Sequence, residues 1–106
     1  MYPLFLYSAS QQIVTFSHVV AALCRRPAAL FGLSKGMIQE GYDADFIVID
    51  TKNKQTITSN LLHSKANYSP FEGFSAFFPS HLYLRGREII DDYCLVGTPG
   101  TGKHVK

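Results

Sequence analysis

The sequence is short of charge and of cysteine, and it has no long apolar run. Charged residues make up 17% of its 106 positions, and ten Lys and Arg against eight Asp and Glu leave a formal net charge of +2. That balance is too weak to argue for nucleic acid or an anionic membrane as partner. No apolar stretch approaches the ~18 residues of a membrane span. The two cysteines, Cys24 and Cys94, form no C-x-x-C pair and no zinc spacing. They read as reduced thiols of a cytoplasmic protein. The first residues, Met1-Tyr2-Pro3-Leu4-Phe5-Leu6-Tyr7, lack Lys, Arg and a following A-x-A site, which argues against a signal peptide. So abrupt an apolar start reads as a chain that begins inside a larger domain. There is no internal repeat and no low-complexity tract.

What is present is apolar bulk. Hydrophobic residues reach 46% and aromatics 13%, through eight Phe and six Tyr. This is a globular composition, which excludes a disordered tail, and the length allows one small domain at most. So large an aromatic content for so few residues points to a partner that covers part of it.

Pro3 suits the first position of a short helix over residues 3–8. Thr15 is the N-cap of a second helix, about 16–24. Its residues Phe16, Val19, Val20, Leu23 and Cys24 follow the i, i+3, i+4, i+7, i+8 pattern of one helical face. Pro27 ends that helix and starts a further turn, closed by Gly32 at C′. Met37-Ile38 reads as a short strand between turns, and 46–50 as a buried strand bounded by acids. Residues 55–58 alternate as another strand, Ser59 caps a single turn, and 63–80 read as loop. His81–Leu84, Arg85-Gly86 and Arg87–Asp91 form a hairpin, and residues 97–106 an extended tail.

The motif richest in apparent chemistry is Gly97-Thr98-Pro99-Gly100-Thr101-Gly102-Lys103, which satisfies the G-x-x-x-x-G-K of a phosphate-binding loop. Such a loop needs Ser or Thr next and a helix behind it. Here His104 follows and the sequence stops at Lys106, so no nucleotide site is expected. No two of His18, His63, His81 and His104 lie within four residues of each other. Each reads as structural, with no neighbouring acid pair to tune it. Asp43 and Asp45 read as turn residues before a strand rather than as an acid–base pair, and Asp91-Asp92 as a solvated turn. Arg25-Arg26 complements the dipole of a helix end. Ser8, Ser17 and Ser69 lack the G-x-S-x-G context of a nucleophile. The residues alone therefore assign no catalytic, cofactor-binding or metal-binding position.

Four segments together carry a resemblance. Arg26-Pro27-Ala28-Ala29-Leu30-Phe31-Gly32-Leu33 is similar to an "NPA-x-x-F-G-L" helix, with Arg26 in place of Asn. Residues 35–50, from Lys35-Gly36 through Gly41-Tyr42-Asp43-Ala44-Asp45 to Asp50, match "KG-x-I-x-x-G-x-DADhhhhD", where h is apolar. His63 to Gly73, ending Ser69-Pro70-Phe71-Glu72-Gly73, resembles "SK-x-x-x-SPFEG". Leu84-Arg85-Gly86-Arg87-Glu88-Ile89-Ile90 resembles a closing "RG-x-x-h" hairpin, and the "G-x-GK-x-h" tail follows at 100–105. Together they resemble the C-terminal end of dihydroorotases, in the cyclic-amidohydrolase branch of the amidohydrolase superfamily. The tail of that family accounts for the phosphate-loop look-alike.

The resemblance implies a parent with a zinc-dependent (β/α)₈ barrel and a small β-sandwich. Its reaction is the reversible closure of N-carbamoyl-L-aspartate to dihydroorotate in pyrimidine synthesis. The family's metal ligands are an H-x-H pair, a carboxylated Lys, two further His and an Asp, all upstream of the matched segments, so none carries over. The expected fold class is α+β. Residues 1–33 would be terminal barrel helices, and 34–106 the C-terminal part of the sandwich with its Gly-rich tail, an incomplete piece of the parent fold. The expected role is non-catalytic, with zinc only in the full-length parent. The expected partner is a second copy or the missing barrel, not nucleic acid, nucleotide or membrane. The alternatives are an allantoinase or hydantoinase-like parent, or a stand-alone interaction module.

Overall fold

The structure is a computed structural model that describes residues 1–105. It opens with α1 (Tyr2–Ser10), in which Pro3 occupies the first turn. Leu6 and Ala9 form its buried face. Thr15 caps the next helix as expected, its Oγ1 accepting the His18 N–H at 3.1 Å. The helix does not end before Pro27. α2 (Phe16–Val20), a π-helical turn (Ala21–Arg25) and α3 (Arg26–Leu30) follow one another without a break. A proline removes one i→i−4 bond and crowds the carbonyl four residues back, here that of Leu23. The wider π turn just before Pro27 absorbs that conflict. Arg25 and Arg26 consequently sit inside the helical run rather than at its end. Gly32, at φ +63°, closes it. The Leu33 N–H reaches Ala28 O at 2.8 Å and the Gly32 N–H reaches Ala29 O at 3.2 Å, the paired bonds of a Schellman cap.

Residues 31–45 contain no strand. Met37-Ile38 fails to extend because Gly36 and Gly41 turn the chain on either side, at φ +79° and +84°, and among the described residues no strand pairs with it. β1 (Phe46–Val48) is shorter than the expected 46–50 and is covered on one face only. Ile47 and Ile49 pack on the core, whereas Phe46 and Val48 are exposed.

β2 (Gln55–Thr56) pairs antiparallel with β3 (Ser75–Ala76), a strand inside the stretch that the sequence pattern gives to loop. The ladder is extended by Ile57 N–H to Phe74 O at 2.8 Å and Gly73 N–H to Ile57 O at 2.9 Å. A 3-10 turn (Ser59–Leu61) follows β2, flanked by Thr58, with no side-chain cap from Ser59.

β4 (His81–Leu84) and β5 (Arg87–Asp91) form the expected hairpin. Arg85 and Gly86 both have positive φ, +50° and +74°, as a two-residue type I′ turn requires. A second tight turn, Asp92-Tyr93, leads to β6 (Cys94–Leu95), which the sequence reading leaves in no element. The main sheet is antiparallel in the order β1-β4-β5-β6.

Helices and sheets share one core of Leu6, Ala9, Val19 and Phe77, with Tyr7, Leu23, Ile47 and Ile49 packed around it. Phe77 joins the two halves. Its N–H donates to Pro3 O at 3.1 Å, and its ring meets that of Tyr7 edge-on at 5.6 Å.

Candidate functional site

Of the places that gather polar or concave features, the first explains the Asp43-Ala44-Asp45 motif. Lys35 Nζ lies 2.6 Å from Asp43 Oδ2 and also bonds Asp45 Oδ2. The other oxygen of Asp45 accepts the Arg85 N–H at 2.7 Å. Next to it, the Gly86 N–H donates to Ala44 O at 2.9 Å. Asp45 thus ties the loop after the helices to the tip of the β4–β5 hairpin, more than the turn role expected of it. Partial burial pushes its carboxyl up, but the Lys35 bond and the Arg85 N–H outweigh that and hold it below the usual carboxylate range. The bonds to Asp43 and then Asp45 raise Lys35. One cation engages both acids, which makes the pair a latch between the loop and the hairpin.

The second place is on the outer face of the β4–β5 hairpin. His81 Nδ1 lies 3.4 Å from Glu88 Oε1 and 3.3 Å from Asp91 Oδ1. Tyr83 donates its hydroxyl to the same Glu88 oxygen at 2.6 Å and stacks on Phe46 at 4.6 Å. That bond to Glu88 raises the Tyr83 phenol. His81 therefore does have an acid pair beside it, contrary to the sequence expectation. In a flat strand, residues 88 and 91 point to opposite faces. Here Leu82 stands opposite Ile90 while Tyr83 stands opposite Glu88, so Ile89 is the extra residue of a bulge. The bulge brings Glu88 and Asp91 to one face. It is pinned from behind, where the Ile89 carbonyl accepts from both Val96 N–H (2.9 Å) and Gly97 N–H (3.1 Å). The sequence signal for it is slight: two acids three apart in a strand, followed by a turn.

The third place is an apolar cleft of about 600 Å³ between the helices and the sheet, lined among others by Tyr2, Leu6, Cys24, Met37, Ile47 and Leu82. Within it Tyr2 OH lies 3.6 Å from Cys24 Sγ. Burial, with help from Cys24, pushes the Tyr2 phenol up to about 12. Cys94 is exposed, and both cysteines are free thiols.

The remaining sequence candidates fall elsewhere. His18, His63 and His104 are exposed. Ser69 shapes the Ser69–Gly73 turn, its Oγ accepting the Phe71 N–H at 3.2 Å, and Ser8 Oγ bonds back to Leu4 O within α1. In the Gly-rich tail, residues 101–105 form no helix, the element a phosphate-binding loop requires. Instead the Arg85 guanidinium donates to Thr101 O, which fastens the tail to the hairpin turn.

The profile of the Amidohydrolase family matches residues 3–89. The chain belongs to the amidohydrolase family. Among curated amidohydrolases, the dihydroorotase of Thermoplasma acidophilum is 44% identical over 97 residues, which is 92% of this chain and 23% of that protein. The dihydroorotase of Archaeoglobus fulgidus is 41% identical over 98 residues, 92% of this chain and 24% of its own. The solved structure of a D-hydantoinase (dihydropyrimidinase) from Thermus sp. superimposes with a TM-score of 0.87 at 36% identity, over 94% of this chain and 22% of that one. The resemblance drawn from the four sequence segments therefore stands, and the mixed helix–strand architecture is one that the hydantoinase shares. The chain spans less than a quarter of the length of these relatives.

Proposed function

We propose that this chain is the C-terminal portion of a dihydroorotase-like hydrolase and serves structure rather than chemistry. The observation that carries the reading is its surface. The chain exposes 7888 Å², whereas a folded monomer of 11.8 kDa exposes about 5,900 Å². The excess is the size of one side of an obligate interface. It includes Phe46 and Val48 on the sheet and Leu30 and Phe31 at the end of α3. The rest of a (β/α)₈ barrel and the first strands of its sandwich would cover these residues. Among the described residues no helix is long and apolar enough to cross a membrane.

The zinc centre that the resemblance implies does not fit this chain. Its ligand set begins with H-x-H, and no such pair exists here. The parent reaction, interconversion of N-carbamoyl-L-aspartate and dihydroorotate, would draw its metal and its reacting groups from the remainder of the fold. A hydantoinase-like parent is the second reading, favoured by the structural likeness to the Thermus enzyme.

The test is complementation. The Thermoplasma acidophilum dihydroorotase, shortened by the segment this chain matches, is coexpressed with this chain. A soluble complex that turns over dihydroorotate, where neither piece alone does, is the expected result. Turnover by this chain alone, or failure of the two pieces to associate, refutes the reading.

A further inference from the structure

The cluster on the β4–β5 hairpin lies on the sheet face of Phe46 and Val48, a face open in this chain, and the amidohydrolase reading makes no use of its geometry. We propose that His81, Glu88 and Asp91 form a surface site for one four-coordinate divalent transition ion of the zinc type, with its fourth position open to water. A tetrahedral ion holds nitrogen at about 2.0–2.1 Å and carboxylate oxygen at about 2.0–2.2 Å, so neighbouring ligand atoms stand about 3.4 Å apart. Two of the edges, His81 Nδ1 to Glu88 Oε1 at 3.4 Å and to Asp91 Oδ1 at 3.3 Å, have that length. All three donor atoms lie within 4.8 Å of one another. An octahedral ion such as Mg²⁺, with ligands at about 2.0–2.1 Å, would bring adjacent donors to about 3 Å and accepts imidazole poorly.

The surroundings hold the ligands in place. Tyr83 OH donates to Glu88 Oε1 at 2.6 Å and so orients that carboxylate, the usual part of an outer hydrogen-bond partner in a metal site. The Ile89 bulge supplies the facing of Glu88 and Asp91, and two backbone N–H groups from residues 96 and 97 fix the bulge. Gly97 is required there, because a Cβ at that position would stand 2.9 Å from Ile89 Cγ2. The plain alternative is a histidine hydrogen-bonded to two carboxylates, which needs no ion.

Metal titration separates the two. Co²⁺ is added to the full chain, followed by Zn²⁺ as competitor. The expected result is one Co²⁺ per chain with the intense visible absorption of a four-coordinate site, displaced by Zn²⁺. His81→Asn, Glu88→Gln and Asp91→Asn should each abolish that absorption. These three are conservative changes of surface side chains, and circular dichroism of each variant reports whether the sheet is retained. Tyr83→Phe, which keeps the stacking on Phe46, should weaken binding about tenfold. A triple variant of the exposed histidines, His18→Asn, His63→Asn and His104→Asn, should bind like the parent chain. Absence of saturable binding overturns the proposal. So does binding that survives His81→Asn, or that disappears in the triple variant.

Discussion

Gly36→Ala should be among the most damaging single-methyl additions this chain can receive, and the structure gives the size of the effect. Gly36 has φ +79°, a region that costs an L-residue about 1–2 kcal/mol. Its missing Cβ would also stand 2.5 Å from the Cys24 carbonyl oxygen and 2.7 Å from its carbon, with Ala28 Cβ at 3.1 Å. These are mainly backbone atoms of the π turn and cannot swing aside, so the loop itself must move, at an overpacking cost of about 1–3 kcal/mol. The sum is about 2–5 kcal/mol, a large share of the stability of a domain this small. Gly41→Ala is the control. Its φ is +84°, but a Cβ there meets nothing within 4 Å, so it carries only the backbone cost of about 1–2 kcal/mol. The loss of unfolded-state entropy is common to both variants and cancels.

The difference, about 1–3 kcal/mol, is the clash alone, and it corresponds to a separation in Tm of at least about 4 °C. Thermal and urea melts followed by circular dichroism read it directly. Equal stability of the two variants would refute the close approach of residue 36 to the helix. The same shift should loosen the latch, because Lys35 precedes Gly36 and reaches Asp43 and Asp45 from that position.

The remaining predictions are briefer. The Asp45 carboxyl is lowered on folding, so its contribution is present above the ordinary carboxylate value of 3.8 and is lost as pH falls through the lowered one. Lys35 is raised, so its contribution is complete below 10.5 and is lost as pH rises through the raised value. Urea midpoints against pH should therefore fall at both ends, and Lys35→Met should flatten both limbs. Lys103→Ala should leave Mg-ATP binding unchanged at none by calorimetry; heat that vanishes in the variant would restore the phosphate-loop reading. Static light scattering at tens of micromolar (about the range where weak pairing becomes visible) should show the free chain as a dimer or larger species, and a well-folded monomer would contradict it.

Local patterns made much of the architecture legible. The Thr15 cap, the Gly32 terminus and the Arg85-Gly86 turn are each decided by a few adjacent residues, and each is present in the structure; the apolar face from Phe16 to Cys24 is present only in part, because Phe16 and Val20 are exposed and residues 21–25 form the π turn. What the pattern missed depends on partners far along the chain. Ser75–Ala76 is a strand only because Gln55–Thr56 lies beside it, and two residues carry no period to detect. Met37-Ile38 has strand-forming residues but no neighbour to pair with. Pro27 marks a break by local rule, yet the π turn before it keeps the helix whole. The hairpin cluster was hidden for a sharper reason: alternation assigns Glu88 and Asp91 to opposite faces, and a single bulged residue reverses that for one of them.

The exposed apolar side chains favour the larger-fold reading over simple pairing. Ile47 and Ile49 face the helical core, and alternation turns Phe46 and Val48 toward the other face of the sheet, although Phe46 also borders the cleft. Leu30 and Phe31, 80% and 72% exposed, lie at the end of α3. These are separate faces. A two-fold partner covers one patch with its own copy and leaves the other wet, whereas a chain some four times as long can wrap both. On the proposed reading, self-association of the chain would substitute for the rest of the parent fold, and it should give way when that remainder is supplied. The Lys35–Asp45–Arg85 latch has a matching purpose. It fixes the helical loop to the hairpin tip while both flanking surfaces stay available, which is what a piece must do if it joins a barrel on one side and completes a sheet on the other.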